Sequence, residues 1–147
     1  MTPSSALTLE SARGIGQLQF QIPNTPVASR HAREWLTGPL RASHPVIADD
    51  VLLCLSEAVA NAHRHTTSSV IRVDSLIIEA SVLVRVHDDR PGVLPVPADP
   101  RADAEHGRGL TLIDACSDAW GVIPLGGPRA TGKTVWFVVL TRGSEAV

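Results

Sequence analysis

The sequence contains no tyrosine, and aromatic residues make up only 3% of it. So few aromatic side chains argue against a surface on which nucleic-acid bases stack. Thirteen lysines and arginines stand against fifteen aspartates and glutamates, which gives a net charge of −2. Because no block of basic residues appears either, the electrostatic pattern of a nucleic-acid-binding protein is missing, and we expect no direct contact with nucleic acid.

Long apolar runs are absent as well. The sequence has no stretch of about 18 uninterrupted apolar residues, as a membrane-spanning helix requires, and no pattern of a secretory signal at its start. The two cysteines, Cys54 and Cys116, each lie within an apolar helical pattern, which favours buried free thiols and a reducing compartment. We therefore expect a cytoplasmic protein that does not contact membranes.

The 147 residues are enough for one domain with a hydrophobic core. Hydrophobic residues make up 44% and charged residues 19% of the chain, as is ordinary for a globular protein. Residues 1–16, rich in Ser, Thr and Ala, predict a flexible N-terminal arm. We expect a single domain over residues 17–141 and a C-terminal tail over residues 142–147.

Hydrophobic periodicity predicts the elements of the first half. Strict polar–apolar alternation over residues 17–22 predicts a half-buried strand. A helix is predicted over residues 27–36, ended by Gly38-Pro39, and a second helix over about 45–65. The second helix has an apolar stripe at helical spacing, formed by Ala48, Val51, Leu52, Leu55, Val59 and Ala62.

The second half predicts more strands than helices. In order, the pattern predicts strands over 70–77 and 82–87, a proline-rich lid over 91–106, a helix from Gly107 to about Ala119, and a hairpin over 120–125 and 134–140. The whole order predicts an α+β fold, a two-layer sandwich of a mixed, mostly antiparallel sheet with helices on one face.

Glu57 and Asn61 are the most suggestive polar pair, because four-residue spacing puts both on one face of the second helix. An asparagine can give a neutral oxygen to a Mg²⁺ ion that otherwise keeps waters and phosphate oxygens. A glutamate one turn away could take the proton of a hydroxyl that attacks a terminal phosphate. The pair taken alone fits a solvated helix face equally well.

Two later motifs allow the same double interpretation. Asp88 ends a predicted strand and precedes Gly92, so its carboxylate could accept a hydrogen bond from an exocyclic amine while the glycine lets a ring approach; the same residues suit a turn. Gly107-Arg108-Gly109 begins a helix, where free amides and a guanidinium could bind phosphate. A flexible start of a helix would look the same.

In this order and spacing, the three motifs resemble those of the GHKL superfamily (gyrase, heat-shock chaperone, histidine kinase and mismatch-repair ATPases), whose ATP site is the Bergerat fold. Within it, the chain is most similar to anti-sigma-factor serine/threonine kinases and related ATP-binding regulators of actinobacteria. The resemblance extends over residues 18–140. It implies that the chain binds ATP and Mg²⁺.

The resemblance also implies roles for single residues. Glu57 would be the catalytic base and Asn61 the Mg²⁺ ligand. Adenine would be bound by Asp88, Gly92 and Thr134. The phosphates would be bound by Gly107, Arg108, Gly109 and Leu110.

As partners, the resemblance implies a sigma factor, an anti-sigma antagonist or both, and it is compatible with a homodimer. The implied activity is a protein serine/threonine kinase that regulates transcription. Arg90, however, stands where the family has the first glycine of its adenine motif. An alternative is therefore an interaction module that responds to nucleotide without catalysis.

Two competing interpretations are weaker. Residues 127–134 fit the P-loop pattern G-x-x-x-x-G-K-[ST], but a P-loop needs a helix that starts at Lys133-Thr134, and the β-branched and aromatic residues that follow predict a strand. We therefore disfavour a P-loop NTPase. The histidines His63, His65, His87 and His106 lack the spacing of zinc ligands.

Overall fold

The computed structural model of the protein describes residues 5–9, 16–89, 104–126 and 131–141. These residues form six strands and three helices. In chain order they are β1 (Ser5–Leu9), β2 (Gly16–Pro23), α1 (Ala28–Ser43), α2 (Ala48–His65), β3 (Val70–Ile77), β4 (Ser81–Asp88), α3 (Ala104–Cys116), β5 (Ala119–Leu125) and β6 (Gly132–Leu140). Among them, no helix is long and apolar enough to cross a membrane.

All six strands belong to one sheet, in the order β1-β2-β3-β4-β6-β5. Each pair of neighbouring strands is antiparallel. The chain leaves β4, passes through α3 to the edge strand β5, and returns as β6 between β5 and β4. This reversal brings the last strand beside the end of β4. The predicted α+β sandwich is confirmed.

The hydrophobic core lies between the helices and one face of the sheet. In β2, Leu18, Phe20 and Ile22 are buried while the glutamines between them are exposed, as the alternation predicts. All six residues of the predicted apolar stripe of α2 are buried. Phe20 stacks on Trp35 of α1, with ring centroids 4.3 Å apart, so aromatic contact joins the first helix to the sheet.

Helix α1 is longer than its sequence suggests. It continues through Pro39 to Ser43, so the prediction that Gly38-Pro39 ends it is wrong. Proline removes one backbone donor from a helix. Leu36 and Leu40, one turn apart, are nevertheless both fully buried, and burial of a leucine side chain contributes about 1.5–3 kcal/mol. The last turn of α1 is therefore stabilised by packing rather than by local propensity.

Other boundaries also differ from the predictions. Ser5–Leu9, expected within a flexible arm, forms β1 and pairs with β2, with Leu7 opposite Leu18; so short a strand depends on its partner and leaves little local pattern. Helix α3 begins at Ala104 instead of Gly107. It also ends earlier, at Cys116, where the backbone and the hydroxyl of Ser117 make the last hydrogen bonds to the carbonyl of Ile113.

The packing of α2 generates a stability prediction. Leu55 is fully buried whereas Leu53, on the same helix, is 37% exposed. We expect Leu55→Ala to lower the free energy of unfolding by about 2–5 kcal/mol, because it removes core contacts and leaves a cavity. The matched variant Leu53→Ala should change it by about 0.5 kcal/mol or less. Urea denaturation measures both, and equal effects would contradict the described packing.

Candidate active site

Asn61 lies in the last turns of α2 and is only 1% exposed. Its amide oxygen has no hydrogen-bond partner among the residues that the structure describes. A buried polar atom without a partner is costly, so this oxygen is best explained as a ligand for a bound group. A neutral amide oxygen suits a hard cation such as Mg²⁺. The burial of Asn61 thus fits the predicted role and removes the alternative of a solvated residue.

Glu57 lies one turn before Asn61 but is only half-buried. It lines a groove between α1 and α2, together with Arg33 and Ser56. The guanidinium of Arg33 donates to the hydroxyl of Ser56 at 2.9 Å, which holds one wall of the groove in place. The two residues of the predicted pair therefore differ: Asn61 belongs to the interior and Glu57 reaches a groove open to solvent.

Two free thiols belong to neighbouring helices, Cys54 to α2 and Cys116 to α3. Burial, with smaller contributions from the charges of Cys116, Asp50 and Glu57, raises the pKa of the Cys54 thiol to about 12. Burial also raises the pKa of Cys116. Both groups are therefore protonated, unreactive thiols near neutral pH. This state suits a structural role and not that of a nucleophile.

Asp88 and Lys133 form a buried ion pair where β4 ends and β6 begins. They are directly opposite in the register of the two strands. The Lys133 ammonium lies 2.8 Å from a carboxylate oxygen of Asp88, and the two side chains are 0% and 2% exposed. Asp88 continues the row of buried valines on β4, so the pair lies on the sheet face that packs against the helices.

The neighbouring Asp89 accounts for the turn that the sequence also suggested. Its carboxylate accepts hydrogen bonds from the hydroxyl of Thr66 and from the backbone N–H of Ser68, the latter at 3.2 Å. Asp89 thereby joins the end of β4 to the segment after α2.

Gly132 permits the close approach of β6 to the end of β4. A Cβ atom at this position would lie 2.3 Å from the backbone oxygen of Asp88, so any other residue would push the strands apart. Lys133 and Thr134 follow within the same strand. Because a P-loop requires a helix there, the P-loop alternative is wrong.

Thr134 is not beside Asp88, although the two were expected to meet at the adenine. Strand alternation turns Thr134 to the other sheet face, where its hydroxyl lies 2.7 Å from His87. The second ring nitrogen of His87 lies 2.7 Å from Asp74. A hydroxyl, an imidazole and a carboxylate in a row resemble a nucleophilic triad, but Thr134 is 3% exposed. We therefore interpret the three contacts as a result of strand pairing and not as a catalytic triad. The residue that lies beside Asp88 is Lys133 and not Thr134.

The predicted phosphate-binding glycines lie inside α3 rather than before it. Helix α3 begins at Ala104, and the fourth residue of a helix already donates its amide to the residue before the helix, so Gly107 offers no free amide by this rule. Leu110 is buried in the hydrophobic core, which leaves only its backbone for a ligand. The predictions for Gly92 and for the side chain of Arg108 lie outside the described residues.

The histidines make separate contacts. Within the described ranges, no group of three or more His, Cys, Asp or Glu side chains could hold a metal ion. His63 is 2.6 Å from the amide oxygen of Asn24, whose amide nitrogen in turn donates to the backbone of Ser68. A Mg²⁺ ion at Asn61 would therefore take its remaining ligands from water and from the phosphates of a nucleotide.

Comparison with known proteins agrees with this geometry. A family model described as a histidine kinase-like ATPase domain matches residues 22–139. Among solved structures, the chain is similar to the RsbU and RsbW domains of Rv1364c from Mycobacterium tuberculosis, with 21% sequence identity and a TM-score of 0.59. This similarity covers 84% of the chain and 33% of the other, about a third of its length, and shows the fold alone. No curated protein gives a significant match.

The contact at Gly132 generates a second prediction. Gly132→Ala should lower the free energy of unfolding by about 1–3 kcal/mol, because the added methyl group forces β6 away from the Asp88 backbone. The control is Gly38→Ala, where a Cβ atom meets nothing within 4 Å. Gly38→Ala should change the free energy of unfolding by no more than about 1 kcal/mol. Helix propensity favours alanine over glycine, whereas Pro39 disfavours a helical residue with a Cβ atom directly before it. Thermal denaturation compares the two, and equal stability would contradict the close approach.

Proposed function

The chain belongs to the family of histidine kinase-like ATPase domains, and we propose that it is a cytoplasmic ATP-binding regulator that phosphorylates a serine or threonine of a protein partner. The observation that carries the proposal is the buried amide oxygen of Asn61, which lacks a partner among the described residues. By the resemblance in its motifs, the partner would be an anti-sigma antagonist, and the effect would be on transcription.

In this proposal Asn61 binds the Mg²⁺ ion that accompanies ATP. The ion supplies charge neutralisation at the phosphates. Helix α2 packs against β3, β4 and β6, so Asn61 projects from the helix layer that covers the sheet face carrying Asp88. The phosphate end and the base end of a nucleotide would then be bound by two elements that the core holds together.

Asp88 binds the adenine base in this proposal. Its carboxylate accepts a hydrogen bond from the exocyclic 6-amino group of adenine, because an ionised carboxylate can only accept and an amino group can donate. Burial supports this role because a hydrogen bond to a charged group is stronger where water is excluded. Gly92 is proposed to lie against the same base.

The start of α3 is proposed to bind the phosphates. The positive end of a helix dipole and its free amides favour anions. The free amides are those of the first residues of the helix, Arg108 is proposed to supply a guanidinium, and Gly107, Gly109 and Leu110 are proposed to lie beside the phosphates.

Glu57 is proposed to orient or deprotonate the acceptor hydroxyl. The groove between α1 and α2 that Glu57 lines is proposed to bind the partner segment, which would bring its hydroxyl to Glu57. The geometry of Glu57 also favours a second function. The side chain of Glu57 is more exposed than that of Asn61, and nucleotide binding does not require it. A module that responds to nucleotide without catalysis would need only Asn61 and Asp88.

Substitutions on α2 distinguish the two functions. Asn61→Ala should weaken Mg²⁺-dependent ATP binding by about tenfold or more, because the charge-assisted contact is lost. Glu57→Gln should bind ATP as the unchanged protein does, yet lower phosphate transfer to the partner by about a hundredfold or more. Calorimetry measures ATP binding, and radiolabelled γ-phosphate measures transfer to proteins co-purified from the native cell.

Glu34→Gln is the matched control, because Glu34 lines the same groove but is exposed on α1. It should transfer phosphate at the normal rate. If the Asn61→Ala variant binds ATP as tightly as the unchanged protein does, the proposed site is wrong. Normal ATP binding without transfer to any partner would leave the non-catalytic module as the function.

A further inference from the structure

Lys133 is the only lysine in the sequence. Every other residue counted with it as basic is an arginine, and yet this single ammonium group is fully buried. Burial of a charged amine is costly unless an opposite charge and further hydrogen bonds compensate it. Its place is the base end of the proposed nucleotide site, 2.8 Å from Asp88.

The ion pair presents a donor beside an acceptor. A carboxylate accepts about four hydrogen bonds and an ammonium group donates three, so the two groups can bind each other and a third partner together. The edge of adenine that carries the 6-amino group has the complementary order, since the amino group donates and the adjacent ring nitrogen N1 accepts. Base edges are recognised through such donor and acceptor patterns.

We propose that Lys133 determines base specificity by donating a hydrogen bond to N1 of adenine while Asp88 accepts one from the 6-amino group. The inference rests on the proposed function, because it names a second contact at the same base. It also gives the buried ammonium group its purpose: adenine shares the ion pair without breaking it.

The chemistry of lysine suits this role better than that of arginine. An arginine guanidinium binds a carboxylate through two parallel hydrogen bonds in one plane, whereas a lysine ammonium is a compact donor that can point its hydrogens in three directions. One hydrogen can stay on Asp88 while another reaches the base. The exclusive use of lysine at this place, in a chain that otherwise uses arginine, follows from that difference.

The same contacts reject guanine. In the register that suits adenine, guanine would place its 6-oxo group against the Asp88 carboxylate and its N1–H against the Lys133 ammonium. Both contacts would then pair like with like, acceptor on acceptor and donor on donor. Specificity gained by repulsion against the wrong ligand is as effective as attraction to the right one.

The decisive experiment replaces one atom of the ligand. In 1-deaza-ATP a C–H group replaces N1, while 7-deaza-ATP changes the other side of the ring and serves as the ligand control. The unchanged protein should bind 1-deaza-ATP about tenfold or more weakly than ATP, as expected for a lost bond to a charged donor. It should bind 7-deaza-ATP as it binds ATP. Calorimetry with Mg²⁺ present measures all three.

Variants assign that difference to Lys133. Lys133→Met should bind ATP and 1-deaza-ATP equally, because it has no donor for N1. Lys133→Gln keeps an uncharged donor, so it should retain part of the preference for ATP over 1-deaza-ATP. It also serves as the test variant if Lys133→Met fails to fold. The matched control is Arg85→Met, because Arg85 also faces a carboxylate, Asp74 at 3.6 Å, but on the other sheet face. It should keep the full preference.

Each result decides a separate point. If the unchanged protein binds ATP through Asn61 but binds 1-deaza-ATP just as tightly, the inference is wrong and the proposed function stands. Tighter binding of ATP by Lys133→Met than by the unchanged protein would also overturn the inference, because the ammonium group would then compete with the base. Absence of ATP binding altogether would reject the proposed function itself.

Discussion

The ion pair between Lys133 and Asp88 is the interaction on which the candidate site depends. Neither charge is stable alone in the core, and removal of one partner from a buried pair costs about 3–5 kcal/mol. The pair therefore fixes the start of β6 against the end of β4, with Gly132 permitting the contact between backbones. A charged group held in this way has little freedom, so its donors and acceptors are already oriented before a ligand arrives.

The order of the sheet explains how such a pair forms from residues far apart in sequence. The chain first forms β5 at the edge of the sheet and then returns as β6. The last strand therefore lies between β5 and β4, which places Lys133 opposite Asp88. Helix α2 covers this junction and contributes Asn61, and α3 begins on the route from β4 to β5. One topology thus places a buried amide oxygen of the helix layer over the sheet face that carries a buried carboxylate.

Sequence reasoning succeeded where a pattern is local. The apolar stripe of α2 and the alternation of β2 and β3 follow from repeats of 3.6 and two residues, and the structure confirms them. It was wrong where distant packing overrides local preference. Burial of Leu40 extends α1 beyond Pro39, and pairing with β2 makes a strand of Ser5–Leu9. Lys133 was hidden for the same reason: only the register of β6 on β4 shows that it, and not Thr134, faces the helices beside Asp88.

The most direct test of this account uses the single lysine. Growth with ¹⁵N-labelled lysine gives the protein one side-chain ammonium signal in nuclear magnetic resonance, that of Lys133. On titration with Mg·ATP this signal should shift and saturate together with ATP binding, while ribose triphosphate, which lacks the base, should leave it unchanged. If ATP binds to saturation and the Lys133 signal does not move, the base lies elsewhere and the account is contradicted.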